Sequence, residues 1–171
     1  EEVNRRIRRG IAFAFLYVDI NHFKPYNDTY GFASGDRVIR ETANILLESL
    51  GAQAGGAGFV GHVGGDDFVV ITEPSRAPHV AQHIVSQFDQ KTACFYKAPD
   101  KARGFIEAKN RQGLRQRFPV ISLSIGIVTS EQRVLSHYAK VVQIASEMKA
   151  LCKADTEHRL SRFAFDRRRG Y

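Results

Sequence analysis

Residues 61–68 read Gly-His-Val-Gly-Gly-Asp-Asp-Phe, and this octet constrains the fold more than any other stretch. It joins two apolar runs, 58–63 and 68–73. Strand-length runs on both sides of a Gly-Gly-Asp turn predict a β-hairpin, since glycine reaches positive φ without steric cost. A hairpin alone is marginal in water, so further strands and covering helices are required. The two adjacent carboxylates have two readings. They are solvated turn residues, or they belong to a metal site in which the glycines let backbone approach a phosphate.

The remaining pattern supplies the other elements. Ile-Ala-Phe-Ala-Phe-Leu-Tyr-Val-Asp-Ile (11–20) is apolar on both faces and predicts a buried central strand. Residues 21–35 mix Pro, Asn, Asp and Gly with aromatics and predict a helical turn followed by a structured loop. Residues 36–51 place Val38, Ile39, Thr42, Ala43, Leu46 and Leu50 on one helical face, with Gly51 as the stop. Residues 52–58 read as a flexible link. Ser75 is the expected cap of a helix reaching Phe88, with Val80, Ile84 and Phe88 inward. Residues 97–117 carry basic side chains and Gly104 and Gly113, and predict an extended hairpin arm flowing into a strand over 119–129. A helix from Ser136 to Lys153 is expected to turn Tyr138, Val141, Ala145, Met148 and Cys152 inward, and 162–166 is a last short strand. The order β-α-α-β-β-α-β-α-β with an inserted hairpin is an α+β layout, a sheet covered by helices.

At 171 residues, with 43% hydrophobic and 25% charged side chains, the chain reads as one globular domain over 1–171. It begins in mid-pattern without an initiator Met, which reads as a domain excised from a longer protein. No apolar run reaches the ~20 residues of a membrane span, and no signal peptide leads the chain, so a cytoplasmic location is expected. The net charge of +7 comes largely from arginines at 5, 6, 8, 9 and 167–169. These read as solvated tails around a nearly neutral body, and no nucleic-acid partner is expected. Cys94 and Cys152 have no metal-ligand spacing and read as packed, reduced thiols, while His79 and His83 read as surface residues.

Asp19 closes the first apolar strand, and Asp66 and Asp67 sit at the hairpin turn. Singly, Asp19 is a helix cap and the others are turn residues. If the two segments are neighbours in one sheet, the carboxylates converge at one edge. Such an oxygen-donor cluster suits Mg²⁺ with substrate phosphates, and hence phosphoryl or nucleotidyl transfer.

Tyr-Val-Asp-Ile-Asn-His-Phe-Lys-Pro-Tyr-Asn-Asp-Thr-Tyr-Gly-Phe-Ala-Ser-Gly-Asp (17–36), the 61–68 octet and Ile-Ser-Leu-Ser-Ile-Gly-Ile-Val (121–128) together resemble the GGDEF domain of diguanylate cyclases. The resemblance runs in order over essentially the whole chain, with the signature here reading GGDDF. It implies a palm-like, mostly antiparallel sheet flanked by helices. It also implies bacterial signalling through condensation of two GTP molecules into cyclic di-GMP, across an antiparallel homodimer. By matching positions, Asp19, Asp66 and the Ile20 carbonyl would bind Mg²⁺, or Mn²⁺ in its place. Asp66 and Asp67 would be catalytic. Asn27 and Asp36 would take the guanine edge, Phe23 and Lys24 the β- and γ-phosphates, and Gly64 and Gly65 would pass close to ribose and α-phosphate. Lys153 would be a late phosphate-binding lysine, with Arg159 as the nearest companion arginine. Sensory, receiver or EAL domains are the implied covalent partners.

Three positions and one segment depart from the family pattern. Asp67 stands where Glu is usual, shortening the reach by about 1.5 Å. Asn21 replaces an acid and His62 an arginine. Gly55-Gly56-Ala57-Gly58 occupies the place of the RxxD product-inhibition motif, so that inhibitory site is not expected. The resemblance therefore supports a cyclase of reduced turnover, or alternatively a GTP-binding module regulating an attached phosphodiesterase or other output domain.

Overall fold

The protein, seen in a computed structural model, is described over residues 1–55, 58–110, 112–154 and 160–168. The first apolar run forms β1 (Ala14–Asn21), and the hairpin forms β2 (Phe59–Gly64) and β3 (Asp67–Thr72). With β6 (Ser122–Thr129) and β7 (Arg162–Phe165) they make one five-stranded sheet in the order β2-β3-β1-β6-β7. Its pairings are antiparallel except β6 with β7. The arm is a separate two-stranded sheet of β4 (Phe105–Lys109) and β5 (Arg115–Pro119).

β1 is central and apolar on both faces because helices cover both. Ala14, Leu16, Val18 and Ile20 pack on one side with α3 (Phe32–Ala54) and α4 (Ala77–Thr92), through Val38, Ile45, Leu46, Val80 and Ile84. Phe13 and Phe15 pack on the other with α1 (Glu2–Arg9) and α6 (Tyr138–Ala154), through Val3, Val141, Ile144 and Ala145. Gly126 of β6 sits directly under α6, where a Cβ would collide with the Ala145 carbonyl oxygen and reach 2.6 Å from the Lys149 backbone nitrogen. This close approach brings α6 down onto the sheet at the acidic end of β1.

Phe118 of the arm lies 6.1 Å from the His22 ring, next to an aromatic cluster. α2 (Phe23–Tyr30) stacks Tyr26 on Tyr30 at 5.0 Å, and Tyr96 meets both rings edge-on. The Tyr96 hydroxyl accepts the Ile121 N–H at 2.8 Å, which ties this cluster to the start of β6. Among the described residues no helix is long and apolar enough to cross a membrane.

Several sequence expectations are corrected. Residues 2–9 are helical rather than a solvated tail: Val3 is 2% exposed, Glu2 pairs with Arg5 and Arg6, and Gly10 caps the helix in the left-handed region. α3 starts four residues before Asp36 and runs through Gly51 to Ala54. Burial of Leu50 and Ala54 outweighs the helix penalty of one glycine, and Gly55 provides the left-handed stop. α4 begins at Ala77 with Arg76 at its cap and Pro78 in its first turn, so Ser75 caps nothing. α5 (Ala98–Arg103), a short helix before the arm, was not anticipated. Cys94 is exposed, Tyr138 is 39% exposed rather than inward, and His83 is half-buried against the Ser49 hydroxyl at 2.9 Å.

Candidate active site

β1 places Asp19 directly opposite Asp67 of β3 and Ser124 of β6. Residue alternation sets Tyr17 and Asp19 on the α6 side of the sheet, the side of Phe15. The turn between β2 and β3 is the pair Gly65–Asp66. Of those two only Gly65 has positive φ, at 57°, matching the glycine preference of type II′ hairpins. Gly64 is also at positive φ, 142°, and nothing lies within 4 Å of where a Cβ would stand on either glycine. The face of the turn is therefore open for a ligand. The Asp66 carbonyl accepts the Ile20 N–H at 3.3 Å, which brings the turn to the end of β1. His62 stacks on Phe68 at 4.5 Å and meets the Gly65 carbonyl at 2.9 Å, bracing the turn from behind.

Asp19 is 6% exposed and lies between two lysines one turn apart on α6. Lys153 Nζ is 2.5 Å from Asp19 Oδ1, and Lys149 Nζ is 3.3 Å from Asp19 Oδ2. Lys149 also donates to Asp67 Oδ1 at 2.7 Å, and its ammonium stands 3.8 Å from the Tyr17 ring centre. Burial opposes the charge on Lys149, but the Asp67 hydrogen bond and the charges of Asp19 and Asp67 outweigh it and raise its pKa. The Asp66 carboxyl is pushed above the usual carboxylate range, first by burial and then by the charges of Asp19 and Asp67, with Lys153 opposing.

Among the described residues, no three His, Cys, Asp or Glu side chains are grouped so as to hold a metal ion. The donor set nevertheless fits a hard divalent ion. It is all oxygen, and Asp19 Oδ1 is a buried acceptor without a hydrogen bond despite its ion-pair contact.

The proposed guanine residues lie at the junction of α2 and α3. Gly31 ends α2 by donating to the Asn27 carbonyl at 2.8 Å and opens α3. Asn27 Oδ1 is buried without a partner and rests against Gly35, where a Cβ would collide with it. Asp36, the next residue, is exposed and carries no hydrogen bond or ion pair among the described residues. Phe23 packs partly against the core, and the exposed Lys24 is paired with Asp28 of its own helix at 2.9 Å. A cavity of about 400 Å³ opens beside Lys153, lined by Asn21, His22, Arg117, Phe118 and Ser122 among others. Asn21 is held between the Ser122 and Ser124 hydroxyls, each at 3.0 Å. Arg159 lies outside the described residues, as do Gly56 and Ala57 of the segment that replaces RxxD.

The structure thus gathers Asp19, Ile20, Asp66, Asp67 and Lys153 at one end of the central strands and sets Asn27 beside the α3 start. Sequence reasoning missed Lys149. Its signal was available: it lies four residues before Lys153, hence on the same helical face.

Comparison with known proteins points the same way. The family described as "Diguanylate cyclase, GGDEF domain" matches residues 1–159. The bifunctional diguanylate cyclase/cyclic di-GMP phosphodiesterase MucR of Pseudomonas aeruginosa is 31% identical over 93 residues, covering 53% of this chain and 13% of MucR. The diguanylate cyclase DosC of Escherichia coli K12 is 23% identical over 160 residues, covering 93% of this chain and 30% of DosC. The chain therefore spans less than a third of the length of these relatives. Among solved structures, the GGDEF domain of DgcB from Caulobacter crescentus in complex with c-di-GMP superposes with a TM-score of 0.57 at 23% identity, covering 90% of this chain and 81% of that domain.

Proposed function

Since the chain belongs to the diguanylate cyclase GGDEF-domain family, we propose that it binds Mg²⁺–GTP and condenses two GTP molecules into cyclic di-GMP. The observation that carries this reading is the Asp19–Asp67 register, with Asp66 in the open glycine turn beside them. Asp19, Asp66 and the Ile20 carbonyl would hold the ion, Mg²⁺ or Mn²⁺. Bound there, the metal would act as a Lewis acid on the attacking 3′-hydroxyl and offset charge growing at the α-phosphate.

The chain's own groups supply the rest. Asn27 and Asp36 receive the guanine, Asp36 accepting from N1–H and the exocyclic amine, a donor pair that adenine lacks. Gly64 and Gly65 leave room for ribose and α-phosphate. Phe23 backbone, Lys24 and Lys153 meet the β- and γ-phosphates, for which Lys24 leaves Asp28 and Lys153 leaves Asp19. Asp66 accepts the hydroxyl proton, with Asp67 setting the charge around it. Each 3′-oxygen bonds to the other nucleotide's α-phosphorus and pyrophosphate departs, so two domains meet antiparallel.

A second reading keeps GTP binding and drops turnover, the domain regulating an attached phosphodiesterase or other output. It is favoured by Lys149 on the short Asp67 and by the neutral Asn21 between two serines. Product formation from Mg²⁺–GTP separates the two. The cyclase reading expects cyclic di-GMP and pyrophosphate, with Asp66→Asn lowering the rate at least about a hundredfold while the fold persists. GTP binding without product in the wild type would favour the regulatory reading.

A further inference from the structure

We propose that Lys149 is a built-in cation of the acid site, one that holds Asp67 as its counter-ion and leaves Asp19 and Asp66 to bind a single divalent ion. The inference rests on the metal-site reading above and assigns Lys149 a positioning role within it.

Three observations support it. First, the ammonium spans two strands: it is 2.7 Å from Asp67 Oδ1 and 3.3 Å from Asp19 Oδ2. Its side chain is 12% exposed, so water screens these contacts poorly. Secondly, the position is set by rigid parts. Gly126 lets α6 rest on β6 at Ala145 and Lys149, and the Tyr17 ring lies 3.8 Å from the ammonium, adding a cation–π contact. Thirdly, the acceptors are used unequally. Asp67 Oδ1 receives a short, charge-assisted hydrogen bond from Lys149, whereas Asp19 Oδ1 has no hydrogen bond and is held only by the ion-pair contact of Lys153 at 2.5 Å. Lys153, the other lysine at Asp19, is 44% exposed and can swing away to a phosphate, but Lys149 is enclosed.

A fixed positive charge between two carboxylates does part of what a second metal ion would do. It neutralises one acid permanently and repels a second divalent cation from the same space. Asp67, one carbon shorter than Glu, therefore matters for its bond to Lys149 rather than as a metal ligand.

The test is Mn²⁺ binding to the nucleotide-free protein, counted by electron paramagnetic resonance of the free ion and requiring no turnover. Wild type is expected to bind one Mn²⁺ per chain, and Asp66→Asn to abolish that binding. Lys149→Met is expected to raise Mn²⁺ affinity at least about tenfold, because a like charge 3.3 Å from Asp19 Oδ2 is removed from a poorly screened site. Lys149→Arg, which keeps the charge, is expected within about threefold of wild type. Since Lys149→Met leaves Asp67 unpaired and Asp19 with only one of its two lysines, and can fail to fold, the double variant Lys149→Met/Asp67→Asn removes both charges. If Asp67 is a counter-ion, the double variant binds one Mn²⁺ within about threefold of wild type. A tenfold or greater loss in the double variant, or unchanged affinity in Lys149→Met, overturns the inference. Mn²⁺ binding that survives Asp66→Asn instead overturns the underlying metal-site reading, and the Lys149 proposal with it.

Discussion

Gly126 and Ala145 touch backbone to backbone: strand β6 and helix α6 meet at a point where glycine's missing side chain is the only space available. Four residues further along α6 stands Lys149, and four beyond that Lys153, so this contact sets the height of both ammonium groups above Asp19.

Gly126→Ala should therefore weaken fold and site together. Forcing a methyl group into a packed interface typically costs about 1–3 kcal/mol. For a domain of this size that lowers Tm by a few degrees per kcal/mol. Relief of the clash lifts α6, so GTP turnover should fall further than the loss of folded protein explains. Thermal melts beside initial rates check this, and an unchanged Tm would show that α6 yields without strain.

Gly35→Ala is expected to act differently. The added methyl would meet the end of the Asn27 side chain, which can rotate, rather than rigid backbone. Stability should change little while GTP affinity falls by about 1–3 kcal/mol, the usual cost of losing a hydrogen bond to a buried polar group. Discrimination against ATP should narrow in parallel. Calorimetry with both nucleotides measures it, and retained GTP selectivity would remove Asn27 from the guanine site.

The raised pKa of Asp66 predicts a pH-dependent response to Mg²⁺. Without metal, the folded state binds the Asp66 proton more tightly than the unfolded chain. This group therefore adds stability as pH falls through its raised folded pKa and subtracts it near neutrality. Mg²⁺ held by Asp19 and Asp66, as proposed, would relieve that repulsion only when Asp66 is ionised. The Tm increase caused by Mg²⁺ should be largest near pH 7.5 and shrink as the buffer is acidified toward the carboxylate range. Asp66→Asn should lose the increase at every pH, and a Mg²⁺ shift unaffected by pH would place the ion elsewhere.

On the proposed cyclase reading two nucleotide sites must meet, so specific activity should rise with protein concentration. Fusion of a dimerising coiled coil at Glu1 should raise it further, because tethering through a short flexible linker gives effective concentrations of about millimolar. Added cyclic di-GMP should compete with GTP, since Gly55-Gly56-Ala57-Gly58 offers neither a guanidinium nor a carboxylate. Initial rates across protein and product concentrations test both points. Flat specific activity would rule out the two-domain mechanism, and noncompetitive inhibition would reveal a second product site.

Some of this was legible in the chain alone, for local reasons. The hairpin announces itself because Gly64, Gly65 and the flanking apolar runs encode turn and strands within a dozen residues. The buried β1 and the inward faces of α3 and α4 follow from periodicity, since each face must be covered by something apolar. Element boundaries were less legible where packing overrides propensity. Gly51 looked like a stop, yet the burial of Leu50 and Ala54 carries α3 past it. The arginine-rich start looked like a tail, yet Val3 finds the α6 side of the sheet and makes it a helix. Spacing suggested carboxylates near one sheet edge, but the pairing of Asp19 with Asp67 depends on strand order and register, which are long-range. Lys149 shows the same division. Its place on the Lys153 face of a helix is written in the sequence. Its meeting with Asp19 and Asp67, 130 and 82 residues away along the chain, exists only because Gly126 lets α6 settle on the sheet.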